Sequence, residues 1–115
     1  MFDFQNLEVY KKAKTYHINC KKVIELYSLP SYVKNQLGRA SLSIALNIAE
    51  GAGKFSKPDR RNFFITARAS VYECVAILDI LHDEQIIPDD IFNDYLKMAD
   101  ELSRILYTMI KNLSQ

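Results

Sequence analysis

Residues that interrupt helices are few in this chain, and nearly all of them lie at three places. Pro30 marks the first, residues 51–58 with two glycines and a proline mark the second, and Pro88 marks the third. The segments between them are long enough for helices of several turns. We therefore predict four helices with short connections, over residues 6–28, 32–51, 57–83 and 90–113.

Apolar residues recur at helical spacing in these segments, and no segment alternates as a strand would. The fourth segment carries the cleanest heptad pattern, formed by Phe92, Tyr95, Ala99, Leu102, Leu106, Met109 and Leu113. With 115 residues and 49% apolar content, the chain can bury one core. We predict a single all-α domain over residues 1–115, folded as an up-and-down antiparallel four-helix bundle.

Polar residues and glycines mark the expected helix ends. Asn6, Ser31, Ser56 and Asp89 are each placed to cap a helix N-terminus. The Gly51-Ala52-Gly53 stretch predicts that the second helix ends in a left-handed glycine.

Charge is distributed unevenly along the chain. Residues 1–61 carry eleven Lys/Arg and five acids, whereas residues 62–115 carry four Lys/Arg and nine acids. This polarity fits either a basic surface for RNA or DNA or two surfaces that attract each other between subunits. The candidate nucleic-acid-binding residues are Lys11, Lys14, Lys21, Lys22, Lys54, Lys57, Arg60 and Arg61.

The second predicted helix contains an unbroken uncharged run, residues 40–49. A bundle helix normally shows water a polar face, so this run predicts a second burial surface between subunits. We assign Leu42, Ile44 and Leu46 to that oligomer interface.

Polar residues lie within the uncharged parts of the second and third helices. Asn47, Glu50, Ser70 and Glu73 are predicted to form a polar network that fixes the helix register, because buried polar groups need partners. A ligand site formed by the same residues is the alternative.

Catalytic and metal-binding patterns are incomplete. Gly51-Ala52-Gly53-Lys54 lacks the upstream glycine, the following Ser/Thr and the preceding strand of a phosphate-binding loop. Asp79 and His82 supply one incomplete carboxylate–histidine pair where a di-metal bundle needs two. Cys20 and Cys74 sit within helical patterns and are expected to be buried, reduced thiols. We predict no catalytic residues, no metal and no cofactor, hence no enzyme.

No stretch approaches the length of a membrane span, and the first five residues lack the regions of a secretory signal. We expect a cytoplasmic location and no membrane partner.

Three motifs together resemble the ribosomal-RNA intervening-sequence proteins, also called the four-helix-bundle protein family. They are the opening Phe4–Tyr10 followed by Ala13, the stretch Asn47-Ile48-Ala49-Glu50-Gly51, and Ala69-Ser70-Val71-Tyr72-Glu73. The resemblance covers nearly the whole chain. The sequence departs from the family pattern at Ala69, where glycine is usual, which affects how closely the backbones pack there.

The resemblance implies a four-helix bundle assembled as a ring-shaped homopentamer. It also implies kinship with the accessory variability determinants of diversity-generating retroelements, which bind a reverse transcriptase and nucleic acid. The expected partners are therefore further copies of the chain, RNA or DNA, and a reverse transcriptase or another protein. Two functions stay open: a non-enzymatic oligomer that binds nucleic acid, and a protein-interaction scaffold or accessory subunit that does not.

Overall fold

The computed structural model of the protein describes residues 1–114, which form four α-helices and one short 3-10 turn without any strand. The turn covers Asp3–Asn6. The helices are α1 (Glu8–Leu26), α2 (Ser31–Ala52), α3 (Lys57–Asp83) and α4 (Asp89–Asn112).

One of the four predicted helix caps is confirmed. The Ser56 hydroxyl accepts a hydrogen bond from the Asp59 amide, 3.2 Å away, so it caps α3 as expected. The other three predictions are wrong. Asn6 ends the 3-10 turn and α1 begins two residues later, whereas Ser31 and Asp89 are the first helical residues of α2 and α4, each after a proline in the cap position.

Neither glycine at the end of α2 forms the predicted left-handed turn, and only Gly51 is required for packing. Gly53 ends the helix with φ −86°, and no glycine in residues 1–114 has a positive φ. Gly51 lies inside the last turn of α2, where a Cβ atom would meet the side chains of Phe63 and Phe64 at 3.0 Å or less. Its missing side chain lets α2 and α3 approach closely.

Successive helices are neighbours, joined by short connections, so they run antiparallel around the bundle. α1 also approaches α4, which closes the bundle. No Cα atom of α1 lies within 8 Å of α3, and the same holds for α2 and α4, so these pairs are diagonal. The bundle measures 44 × 26 × 22 Å. The prediction of an all-helical four-helix bundle is confirmed.

The core runs through the centre of all four helices. On α4 it takes Phe92, Tyr95, Ala99, Leu102 and Leu106, which are the first five positions of the predicted heptad. Met109 and Leu113 continue the same face but are only half-buried. Because these two side chains are only partly covered, they also line a groove at this end of the bundle.

Polar and sulfur-containing side chains are buried near the middle of the bundle. Cys20 and Cys74 are free and completely buried, as predicted. Burial and the neighbouring thiols raise the pKa of Tyr16, whose hydroxyl has no hydrogen-bond partner within residues 1–114. Tyr95 differs, because its hydroxyl donates to the Asn19 carbonyl at 2.6 Å, and burial raises its pKa to about 12.

Of the helices in residues 1–114, none has the length and apolar character that crossing a membrane requires.

Candidate nucleic-acid interface

Four of the predicted binding residues lie together at the end of the bundle where α2 leads into α3. Lys54 is in the connecting loop, and Lys57, Arg60 and Arg61 occupy the first turns of α3. We call these four residues the basic end. The cap formed by Ser56 fixes the start of α3 and therefore the direction in which these side chains leave the helix.

Hydrogen bonds hold the two arginines of the basic end in place. The Arg60 Nε donates to the Lys54 carbonyl at 2.6 Å, and the Arg61 Nε donates to the Ser114 hydroxyl at 2.6 Å. The Lys54 ammonium lies 5.0 Å from the centre of the Phe63 ring. Each contact uses only part of the cation's donors, so phosphate oxygens can bind the rest.

No carboxylate within residues 1–114 forms an ion pair with any residue of the basic end. Asp59 is the acid in the first turn of α3, and it forms no ion pair within residues 1–114. The positive end of the α3 dipole adds to the field of these cations. The opposite end of the bundle, at the α3–α4 connection, is acidic and carries Asp83, Glu84, Asp89 and Asp90.

The other four predicted residues form a separate surface, the α1 stripe, made of Lys11, Lys14, Lys21 and Lys22. All four are exposed on one side of α1. The structure does not join this stripe to the start of α3, because α1 and α3 lie diagonally across the bundle.

Part of the α1 stripe is already engaged within the chain. Lys11 pairs with Glu8 at 3.4 Å, and the Lys14 ammonium lies 4.9 Å from the centre of the Tyr10 ring. Beside the stripe, Lys12 pairs with Glu101 at 2.8 Å, and this contact raises the Lys12 pKa. The basic end is therefore the less neutralised of the two surfaces.

A groove of about 690 Å³ opens at the same end of the bundle as the basic end. The ends of α2, α3 and α4 and the 3-10 turn form its walls. Its lining is mainly apolar, with Arg60, Asp3 and Asn112 as the charged and amide side chains. The apolar lining comes from Phe2, Phe4, Leu7, Phe64, Met109 and Leu113. We call it the end groove.

Sequence reasoning missed the end groove and the aromatic residues around it. Phe55 is fully exposed in the loop beside Lys54, and Phe2 is 74% exposed at the edge of the groove. Phe55 stands between Gly53-Lys54 and Ser56-Lys57-Pro58 in the sequence. Apolar residues are uncommon in such loops, so its position could have indicated an exposed aromatic residue. The groove itself had no sequence signal, since its walls come from four distant segments.

The predicted polar network is present only in part. Asn47 donates to the Ser43 hydroxyl at 2.9 Å, and the Ser43 and Ser70 hydroxyls are 2.9 Å apart, which links α2 to α3. Glu73 belongs to a different contact, in which it accepts a hydrogen bond from Gln36. Glu50 is exposed and joins neither within residues 1–114, so its assignment to the network was wrong.

The predicted oligomer surface also needs a correction. Leu42 and Leu46 are exposed, at 42% and 50%, but Ile44 is completely buried in the core of the subunit and cannot belong to an outer surface. Most of the uncharged run packs within the subunit because α2 lies between α1 and α3. Packing within the subunit does not explain why the exposed positions of the run, Leu42 and Leu46, are apolar.

The incomplete phosphate-loop motif, Gly51–Lys54, and the incomplete metal motif, Asp79 and His82, lie at opposite ends of the bundle. His82 bonds to Asp89 at 2.6 Å and stacks on Phe92, so it fastens the α3–α4 connection. Residues 1–114 contain no group of three or more His, Cys, Asp or Glu side chains placed to hold a metal ion.

Comparison with known proteins agrees with the fold. A protein of unknown function from the S23 ribosomal protein family of Bacteroides thetaiotaomicron VPI-5482 superposes with a TM-score of 0.85. The match covers 90% of this chain and 98% of that one at 20% identity, so it shows a common fold. No curated protein matches the sequence. The family model for the 23S rRNA-intervening sequence protein matches residues 5–108. The chain therefore belongs to the 23S rRNA-intervening sequence protein family.

Proposed function

We propose that this protein is a non-enzymatic, homo-oligomeric bundle that binds RNA or DNA by contacts to phosphate. The observation that carries the proposal is the basic end, where four cations within eight residues form no ion pair with a carboxylate of residues 1–114. Unpaired cations bind a polyanion favourably, because their binding releases the counterions condensed on it.

The start of α3 strengthens this surface. Backbone N–H groups of a first helical turn have no carbonyl partner within the helix, and the helix dipole favours an anion there. In α3, Pro58 has no N–H and the Asp59 amide already donates to the Ser56 hydroxyl, so the attraction for an anion comes from the helix dipole and from the side chains of Lys57 and Arg60. The contacts of the basic end itself involve phosphate, which predicts strong salt dependence and little sequence preference from these four residues.

Assembly is the second part of the proposal. Leu42 and Leu46 leave an apolar strip on the outer side of α2, and a second copy of the chain would cover it. The family resemblance makes a ring of five the expected form. A ring would repeat the basic end around its axis, so weak single contacts would combine through avidity.

The same apolar strip is the observation that favours the alternative, a protein-interaction scaffold whose partner could be a reverse transcriptase or another protein. In such a scaffold the cations would pair with acids on α4 of a neighbouring subunit, such as Asp94, Asp100 or Glu101. Two of those acids are already used within the chain, since Glu101 pairs with Lys12 and Asp100 pairs with Arg104. This supports nucleic-acid binding as the first proposal.

Fluorescence anisotropy with labelled RNA and DNA tests the proposal. We expect binding at low salt and a linear loss of affinity on a log–log salt plot. The double variant Arg60→Glu/Arg61→Glu should lose most of the affinity and flatten the salt slope. Lys21→Glu/Lys22→Glu should have a smaller effect.

A matched control reverses the same number of charges away from the basic end. Lys34 and Lys97 are both exposed, so Lys34→Glu/Lys97→Glu changes the net charge equally. If this control weakens binding as much as Arg60→Glu/Arg61→Glu does, the contact is a general charge effect and the basic end is not the site. Absence of binding by the wild type at low salt leaves the scaffold as the function.

A further inference from the structure

The geometry points to the end groove as a pocket for an unpaired base, so that the nucleic acid bound at the basic end is single-stranded. This inference rests on the proposed function and adds to it the strandedness of the ligand. It depends on three features that phosphate binding alone does not need: the apolar groove, the polar groups within it, and the exposed aromatic residues beside it.

The groove has the size and lining that a base requires. Its volume of about 690 Å³ lies within the usual range for small-molecule pockets. Phe2, Phe4 and Tyr10 form a connected aromatic series, with ring centres 6.0 Å and 4.9 Å apart along it. Phe2 presents most of its surface to water. A base can stack on such a surface whatever its identity, because every base has a π-face.

Arg60 connects this apolar pocket to the phosphate-binding cations. Its side chain lines the groove, and its Nε is held by the Lys54 carbonyl. That bond orients the guanidinium, and the remaining N–H donors suit two oxygens of one phosphate. A nucleotide with its phosphate on Arg60 would therefore place its base toward the groove.

The polar groups of the groove fit a base better than they fit other apolar ligands. Asp3 offers a carboxylate that accepts from the exocyclic amino group of a base, and Asn112 offers both a donor and an acceptor. An anionic lipid surface would also suit exposed phenylalanines beside cations. Lipid tails would leave the Asp3 carboxylate and the Asn112 amide without hydrogen-bond partners, whereas a base can bond to both, so a base is the better occupant.

Phe55 supplies a second stacking surface outside the groove. It is fully exposed and lies in the loop between Lys54 and Lys57. Alternating cations and an aromatic ring along a short loop match the way single strands are held, with phosphates on the cations and a base on the ring. Bases paired within a duplex are stacked on one another and cannot reach either surface without being extruded.

The experiment compares a short single-stranded oligonucleotide with its duplex by anisotropy, using the full chain. The wild type should bind the single strand more tightly. Phe55→Ala and Phe2→Ala should each weaken single-strand binding at least about fivefold while leaving duplex affinity and the salt slope unchanged. Tyr32→Ala is the matched control, since Tyr32 is an equally exposed aromatic residue at the start of α2, at the other end of the bundle.

A second readout reports stacking directly. An oligonucleotide containing the fluorescent base 2-aminopurine should change its emission on binding the wild type, and Phe2→Ala and Phe55→Ala should reduce that change. Both substituted side chains are exposed, so the fold should be retained, which circular dichroism checks.

The outcomes separate this inference from the proposed function. If Arg60→Glu/Arg61→Glu abolishes binding but single strand and duplex bind equally and the phenylalanine variants change nothing, the base pocket is wrong and phosphate binding stands. If neither nucleic acid binds, both proposals are wrong. Vesicles containing anionic lipid are the third ligand tested. If the protein binds them through Phe2 and Phe55 and shows no preference for single-stranded nucleic acid, the inference is wrong and the surface binds a membrane.

Discussion

The backbone of Gly51 approaches the ring of Phe64 so closely that a Cβ atom at residue 51 would lie 2.7 Å from it. Phe64 is buried, and the Phe63 Cβ, 2.9 Å from the same position, can move only with the backbone of α3. Gly51→Ala should therefore destabilise the protein by about 1–3 kcal/mol, the usual cost of overpacking. Urea unfolding followed by circular dichroism measures this.

Gly53→Ala is the matched control for that experiment. Its nearest neighbours for a Cβ atom are at 3.6 Å, and its φ of −86° is open to any residue. We expect unchanged or slightly higher stability, because alanine reduces the entropy of the unfolded chain. Equal losses at residues 51 and 53 would contradict the packing explanation.

Cys20 and Cys74 should resist disulfide formation although they are neighbours in the core. Interaction with Cys20 and burial raise the pKa of Cys74, which keeps the reactive thiolate scarce. Their helices α1 and α3 have no Cα atoms within 8 Å of each other, which is too far for a disulfide without backbone movement. After treatment of the native protein with a mild oxidant, thiol counting in denaturant should find both cysteines free.

Tyr16→Phe should raise stability by about 1 kcal/mol. The substitution removes a buried hydroxyl that has no hydrogen-bond partner within residues 1–114 and keeps the ring in place. Tyr95→Phe is the control, because it removes the hydroxyl that donates to the Asn19 carbonyl and should cost about 1 kcal/mol. A loss of stability in both variants would indicate that Tyr16 has a partner, such as a buried water.

Assembly is tested by Leu42→Asp/Leu46→Asp. Both side chains are exposed in the subunit, so the variant should fold but should not oligomerise, because a charge would be forced into an apolar contact. Light scattering on a size-exclusion peak should show a pentamer for the wild type and a smaller species for the variant. Leu26→Asp, at an exposed site at the end of α1, is the control. A wild-type monomer at micromolar concentration would end the assembly proposal.

His17 should make stability depend on pH. Burial, with a smaller contribution from Lys21, lowers its pKa below 6.5 in the folded protein. The unfolded chain then takes up its proton first as the pH falls, so the stabilisation present above pH 6.5 is progressively lost down to the folded pKa. Unfolding free energies measured at several pH values should show this slope in the wild type and not in His17→Gln.

The helices and the core could be predicted from the sequence because they depend on local patterns. The heptad of α4 identified its five buried residues, and Ser56 and Pro58 located the start of α3. Errors arose where two local signals compete. At Pro30 and Pro88 the proline itself takes the cap position, which displaces the expected caps Ser31 and Asp89 into the helix.

The candidate site was predictable only as a set of charges. The sequence identified Arg60 and Arg61, but the separation of the α1 stripe from them follows from the diagonal placement of α1 and α3. Ile44 was misplaced for a related reason. The periodicity of an uncharged run does not show which residues face the core when a helix has a neighbour on each side.

The bundle is basic at the α2–α3 connection and acidic at the α3–α4 connection. If the protein binds nucleic acid as proposed, this polarity would set how much of a strand one subunit can occupy. Repulsion at the acidic end favours an upright approach, in which the contact spans the 26 × 22 Å cross-section and not the 44 Å length. An upright subunit would therefore cover few nucleotides of the strand. Lengthwise binding would cover about twice as many, so the saturation stoichiometry on a long strand reports the orientation of the protein.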